Sequence, residues 1–276
     1  FRALTAEGIH ITVMAMGGKY VFSVTAFSKA YDGDVDPFGS ESSKLSNDPV
    51  NAGENGIYTV SDTPTPGEGD EGWELITTAE QLIDLANVED MIDNNGINRQ
   101  AVAWSKNYRL KNDIDFSKLS AVYAAKSKSI GNITNRFMGE FDGNGHRITG
   151  LTLSNSDSGL FDYIGSTGRV YNLTIDSPNV LFSDNAAVLA LNNYGLVQYC
   201  SVINANITAD TGAVLGGMIS RNYGVIRDCR VEGGTLKSNS TTATGHAGFV
   251  GSNEEGGLIE RCYSSMRIDT QSEYSG

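Results

Sequence analysis

The chain reads as an all-β protein, a parallel β-solenoid entered through a helix and preceded by a small β segment. Three observations carry this. The pattern G-x-[VI]-x-x-[LC]-x-[apolar or Ser] recurs in "GRVYNLTI" (168–175), "GLVQYCSV" (195–202), "GVIRDCRV" (224–231) and "GLIERCYS" (257–264). These copies start at 168, 195, 224 and 257, so they are 27, 29 and 33 residues apart, the range of a solenoid coil. Each is preceded by a small-plus-apolar cluster: "GLF" at 159, "AVL" at 187, "GMI" at 217 and "GFV" at 248.

Within a copy the apolar residues fall at relative positions 0, 3 and 5. The last two fit a strand, whose side chains alternate with period two. The first two do not, unless the chain turns a corner between them. Asn172, Tyr199, Asp228 and Arg261 are the corner residues. A weaker fifth copy, "RITGLTL" (147–153), adds Gly150 as a corner. The glycine two places before each first apolar residue is read as a second corner with positive φ. One coil cannot bury its own inner face, so coils stack and equal positions form rows. Leu151, Leu173, Cys200, Cys229 and Cys262 are expected in one interior row, with cysteine as a small apolar side chain. Asn193, Asn222 and Asn253 are expected to form an amide ladder. The cysteines are read as reduced, because neighbours in register point the same way and do not reach disulfide geometry.

Upstream of the repeats the elements differ. "IHITVMAMGGKYVFSVTAF" (9–27) alternates apolar and polar around Gly17-Gly18, the signature of a β-hairpin. It belongs to an N-terminal segment, 1–60, of hairpin or β-sandwich type. Residues 32–74 hold eleven acidic residues against Lys44, and four of the five prolines. Within them 61–72 is a Pro/Gly/acidic linker, and the solenoid is placed at 73–276. Trp73, Leu75 and Ile76 mark a short strand. Thr78-Ala79-Glu80-Gln81 has capping-box form, opening one amphipathic helix that caps the first coil.

Composition narrows function. The chain has 276 residues, 33 acidic and 20 basic, for a net charge of −13. That balance argues against nucleic acid or an anionic membrane surface. The longest apolar run, Ala186–Leu191, is far shorter than a membrane span. Neither a C-x-x-C nor a Cys/His cluster appears, and no metal or cofactor is expected. Asp32, Asp34 and Asp36 stand at calcium-loop positions 1, 3 and 5. Pro37 and Ser43 replace the glycine and glutamate that such a loop needs, so the segment is read as a solvated acidic linker. The segment starts at Phe1 and is expected to be part of a longer chain, with its last coil uncapped.

"MISRNYGVIRDCRV" (218–231) and "FVGSNEEGGLIERCYS" (249–264) resemble the GLUG repeat of bacterial surface proteins, and "FMGEFDGNGHRITGL" (137–151) resembles the coil that opens such arrays. The resemblance covers roughly 73–268. It implies a right-handed parallel β-helix in a secreted or surface-anchored protein of adhesin type, with glycans or surface proteins of host or bacterium as partners. Such repeats also accompany IgA-cleaving proteases, whose H-E-x-x-H is missing here.

No catalytic residue is assigned. β-Helix polysaccharide lyases and hydrolases set carboxylates, Arg or Lys on adjacent coils. The outward residues Asp176, Gln198, Asp228, Glu260 and Arg261 do not repeat as acid pairs. Tyr171, Tyr194, Tyr199, Tyr223 and Tyr263 lie near corners and are the candidates for an aromatic strip that contacts sugar rings. A non-enzymatic adhesin or stalk is therefore expected, with a carbohydrate-active enzyme or a structural spacer as alternatives.

Overall fold

The computed structural model describes 4–6, 9–16 and 19–26 as backbone strands, and then 70–154, 159–182, 185–209, 214–239 and 245–270. The Asp32, Asp34 and Asp36 loop and Gly17-Gly18 lie outside the described residues. The chain divides into two compact units, Phe1–Pro66 and Gly67–Gly276.

In the first unit, Ile9–Met16 pairs antiparallel with Lys19–Ala26, and Met16 faces Lys19, as the hairpin pattern requires. A third strand, Leu4–Ala6, adds to the outer side of Ile9–Met16. Sequence reasoning did not assign it, since three residues carry too little alternation to read.

The second unit is a parallel β-helix. Sheet I joins Phe161–Ile164, Ala190–Asn193, Ile219–Asn222 and Val250–Asn253. Sheet II joins Trp73–Ile76, Asn107–Leu110, Glu140–Asp142, Arg169–Tyr171, Leu196–Gln198, Val225–Arg227 and Leu258–Glu260. Sheet III runs from Ile114–Asp115 through Arg147–Thr149, Thr174–Asp176, Ser201–Ile203 and Arg230–Glu232 to Tyr263–Ser264. Sheet IV runs from Thr152–Ser154 through Asn179–Phe182, Asn206–Ala209 and Thr235–Ser238 to Arg267–Thr270. A two-stranded sheet V, Val214–Gly216 with Gly245–Ala247, lies between sheets IV and I of the later coils.

Sheets II and III each contribute one inward row. Phe141, Val170, Val197 and Ile226 form it in sheet II, and Ile148, Ile175, Val202 and Val231 in sheet III. All eight are buried. The cysteine row is also present: Cys200 and Cys229 are buried free thiols, and Cys262 is half-buried. Their Sγ atoms point to the corner carbonyls of Gln198, Arg227 and Glu260, at 3.3, 3.1 and 3.1 Å. Hydrogen bonding between neighbouring thiols pushes the Cys229 and Cys262 pKa up, which keeps both protonated.

Two expectations are corrected. The fifth copy is out of register. Ile148 pairs with Ile175, not with Val170, whose partner is Phe141. A turn through Asn144 and Gly145, both with positive φ, lengthens that coil between Phe141 and Ile148. His146 therefore holds the backbone place of Leu173, since Thr174 N–H bonds its carbonyl as Ser201 N–H bonds that of Leu173. Leu151 is buried, but in the row of Pro178 and Ala205. The second correction concerns φ. Left-handed backbone falls on the non-glycine corners Asn172, Tyr199, Asp228 and Arg261, with φ of 55°, 53°, 54° and 50°. Gly168, Gly195 and Gly224 have ordinary φ and are required for close approach: a Cβ there would lie 2.4, 2.1 and 2.3 Å from a carbonyl oxygen of the preceding coil.

Helix α1 (Ala79–Ala86) starts at the expected capping box. Gln81 N–H donates to Thr78 Oγ1 (3.3 Å), and Thr78 N–H donates to Gln81 Oε1 (3.2 Å). Its face of Leu82, Ile83, Leu85 and Ala86 packs with Ile76, Trp104 and Leu110, and Trp104 Nε1–H donates to the Leu85 carbonyl at 3.0 Å. Two further short helices, α2 (Arg99–Ala103) and α3 (Ala121–Ala124), were not expected. In chain order α1 and α3 stand where later coils carry strands of sheets III and IV.

Candidate ligand-binding face

The corner between sheets I and II is built by the amide ladder. Asn193 Nδ2 donates to Asn222 Oδ1 and Asn222 Nδ2 to Asn253 Oδ1, both at 2.8 Å. Each buried amide also serves its own corner: Asn193 Oδ1 accepts from Gly195 N–H (3.1 Å) and Asn222 Oδ1 from Gly224 N–H (3.3 Å). Asn193 and Asn222 are fully buried, so these bonds satisfy groups that water cannot reach.

The next residue on each coil is Tyr194 or Tyr223. Their rings stack at 4.4 Å between centroids and 1° between planes, and Tyr163 continues the column at 6.4 Å and 12°. The Arg136 guanidinium lies 4.2 Å from the Tyr194 centroid and 5.6 Å from that of Tyr163. Tyr194 thus shares its faces with Tyr223 on one side and with Tyr163 and Arg136 on the other. A sugar C–H needs a free, electron-rich ring face, and Tyr194 at the middle of the column offers none. The five tyrosines read from sequence do not form one strip. Tyr171 OH donates to Glu140 Oε2 (2.8 Å), and burial followed by this bond raises its pKa. Tyr199 is exposed at a corner, and Tyr263 OH donates to Glu232. Tyr163 and Arg136 were missed, since Tyr163 is not in the Asn-Tyr-Gly corner that marks Tyr194 and Tyr223, and Arg136 lies ahead of the first close copy.

Beside the column lies the outer face of sheet II. Since Val170, Val197 and Ile226 point inward, their neighbours form two outward rows: Arg169, Leu196, Val225 and Leu258, then Tyr171, Gln198, Arg227 and Glu260. Gln198 and Glu260, two of the residues read as outward from sequence, share a row. Asp176 sits on sheet III beside Arg147, and Asp228 and Arg261 pair across a corner at 2.6 and 2.8 Å. The Arg261 bonds hold the Asp228 carboxyl below its ordinary pKa.

Charge on this face is uneven. At its first coils Lys106 meets Glu74 (2.6 Å), and Arg109 meets Asp142 (3.0 Å) while lying 4.1 Å from the Trp73 ring centre. At the sheet I edge Arg221 meets Glu254 at 3.2 Å. In the middle coils Arg169 and Arg227 have no carboxylate within ion-pair distance among the described residues. Arg227 Nε is buried and has no hydrogen-bond partner.

Fold and surface together define a class: a β-solenoid repeat protein with one partly apolar face that carries two arginines outside ion pairs. No family model matches the chain. It is 31% identical over 149 residues to a protein of Evansella cellulosilytica named provisionally as a Gly-rich membrane protein; the match covers 42% of this chain and 17% of that one. It is 32% identical over 126 residues to halomucin of Haloquadratum walsbyi, over 44% of this chain and 1% of that one. The chain thus spans a small part of these relatives. A crystal structure from Bacteroides ovatus, named provisionally as an immunoglobulin A1 protease, is similar with a TM-score of 0.43 and 16% identity, over 73% of this chain and 78% of that one. No described helix is long and apolar enough to cross a membrane.

Proposed function

We propose that this chain is a non-enzymatic, GLUG-like stretch of a bacterial surface or secreted protein. Its solenoid serves as a stalk and the outer face of sheet II as an adhesin-type surface for glycan or protein. The supporting observation is how the surface acids are used. Asp142, Asp176, Asp228 and Glu254 are each committed to an arginine, while Leu196, Val225 and Leu258 form an open aliphatic row flanked by Tyr171 and Gln198. Carboxylates tied to guanidiniums are poor general acids, because the pair favours the ionised form. The names of the two sequence relatives fit a surface setting.

The test is electrophoresis of the 276-residue chain through gels holding neutral or acidic polysaccharides, with the same polymers assayed for new reducing or unsaturated ends. Retardation without product is expected. Product formation would make the chain a carbohydrate-active enzyme. No retardation by any polymer, and no binding to surface proteins, would leave a spacer.

A further inference from the structure

We infer that the polymer this face takes is an anionic glycan, a polyuronate, held through Arg169 and Arg227. The inference rests on the binding-surface reading above and names its ligand class. Arg169, Leu196 and Val225 lie side by side on three successive coils, as do Tyr171, Gln198 and Arg227. The two arginines occupy opposite corners of this rectangle, two coil spacings or about 10 Å apart along the axis. None of these six residues is acidic; Glu260 follows Arg227 in its row, and the Asp228 carboxylate, held by Arg261, accepts from the Gln198 amide at 3.4 Å. Glu140, the nearest acid in the first row, accepts the Tyr171 hydroxyl.

Among the described arginines Arg99, Arg136, Arg169 and Arg227 make no ion pair, and Arg227 alone has a buried guanidinium nitrogen without a partner, which is costly. Arg227 keeps its Nε under the surface without a partner, so only its Nη groups are left to meet an anion. Guanidinium recognises carboxylate in a two-pronged planar geometry and is weakly hydrated, so it suits spaced carboxylates on a polymer. Between the arginines, Leu196 and Val225 offer apolar contact and Gln198, whose Nε2 donates to Asp228 at 3.4 Å, offers its amide oxygen, which match the C–H and hydroxyl surface of sugar rings. A linear polymer lying along the solenoid axis meets equivalent positions on successive coils. An acidic polypeptide also carries carboxylates but lacks that ring surface.

The experiment uses the full chain in gels holding polygalacturonate, its methyl-esterified form or poly-glutamate. Polygalacturonate is expected to retard the parent strongly, less so as salt rises, and the other two weakly. Arg169→Gln with Arg227→Gln is expected to lower polygalacturonate affinity about tenfold or more, with unchanged melting temperature. Arg267→Gln removes one charge from sheet IV and is expected to change little. Single variants at Arg169 and Arg227 serve if the double variant melts early. Equal retardation of parent and arginine variants, equal binding of the esterified polymer, or equal binding of poly-glutamate would each overturn the polyuronate assignment. Binding of the esterified polymer that ignores the arginines would sink this inference and leave the glycan-binding reading standing. If no polysaccharide retards the chain, both fall.

Discussion

The inward row of sheet II shows how differently the first and the last described coils are covered. Val170, Val197 and Ile226 are 0% exposed, whereas Ile259, next in the row, is 37% exposed. At the other end α1 and Trp104 close the core: Leu82, Ile83 and Trp104 are 2%, 3% and 2% exposed. Phe249, Val250, Ile259, Met266 and Ile268 instead line a groove of ≈ 340 Å³ on the last described coil. The residue types hardly differ between middle and last coils. A position is buried when a coil lies on both sides of it, so burial here is a nearest-neighbour property.

The sharpest way to break that comparison is a charge at an inward position of a middle coil and of the last described coil. Leu173→Asp places an unpaired carboxylate in a site 1% exposed and is expected to cost several kcal/mol, enough to unfold the solenoid. Ile259→Asp is expected to lower the melting temperature by only a few degrees. Equal melting of the two variants would show that the coils do not bury each other.

The amide ladder gives a second contrast. Asn222→Ala strands the Gly224 N–H and the Asn193 amide in the core, for a loss of about 2–3 kcal/mol by chemical denaturation. Asn253, exposed on the last described coil, is expected to tolerate alanine for under about 1 kcal/mol.

Corner residues come next. Asp228→Leu forces a branched side chain to φ near 54°, at about 1 kcal/mol, and also loses Arg261; Asp228→Gly keeps the backbone relaxed. Because the folded pKa of Asp228 is lowered, its stabilisation is present above the ordinary value of 3.8 and is lost as pH falls through the folded pKa. The melting gap between parent and Asp228→Asn should therefore close on acidification. An unchanged gap would remove the Arg261 pair as its cause.

At the capped end, Thr78→Ala opens the capping box and is expected to cost about 1 kcal/mol. The smallest effect is kinetic. In native protein a thiol reagent should leave Cys200 and Cys229 unlabelled and reach Cys262 slowly, since only Cys262 is half-buried. Fast labelling of two thiols would dismantle the ladder.

What the sequence by itself determined is local and repeated. The hairpin pairing and the capping box were legible from local pattern, and the corner after each first apolar residue, the cysteine row and the asparagine ladder because a repeat states the same position several times. Only tertiary structure decided what depends on register and on neighbours. The opening coil slipped from alignment because a turn at Asn144-Gly145 lengthened it. Conserving glycine spacing did not reveal that Gly195 and Gly224 serve close backbone approach, since positive φ and crowding select the same residue. Arg136 over Tyr194, and the unpaired Arg169 and Arg227, arise from residues far apart in the chain. Their charge balance is set by which acids the other coils place within reach, and a linear pattern does not record that distance.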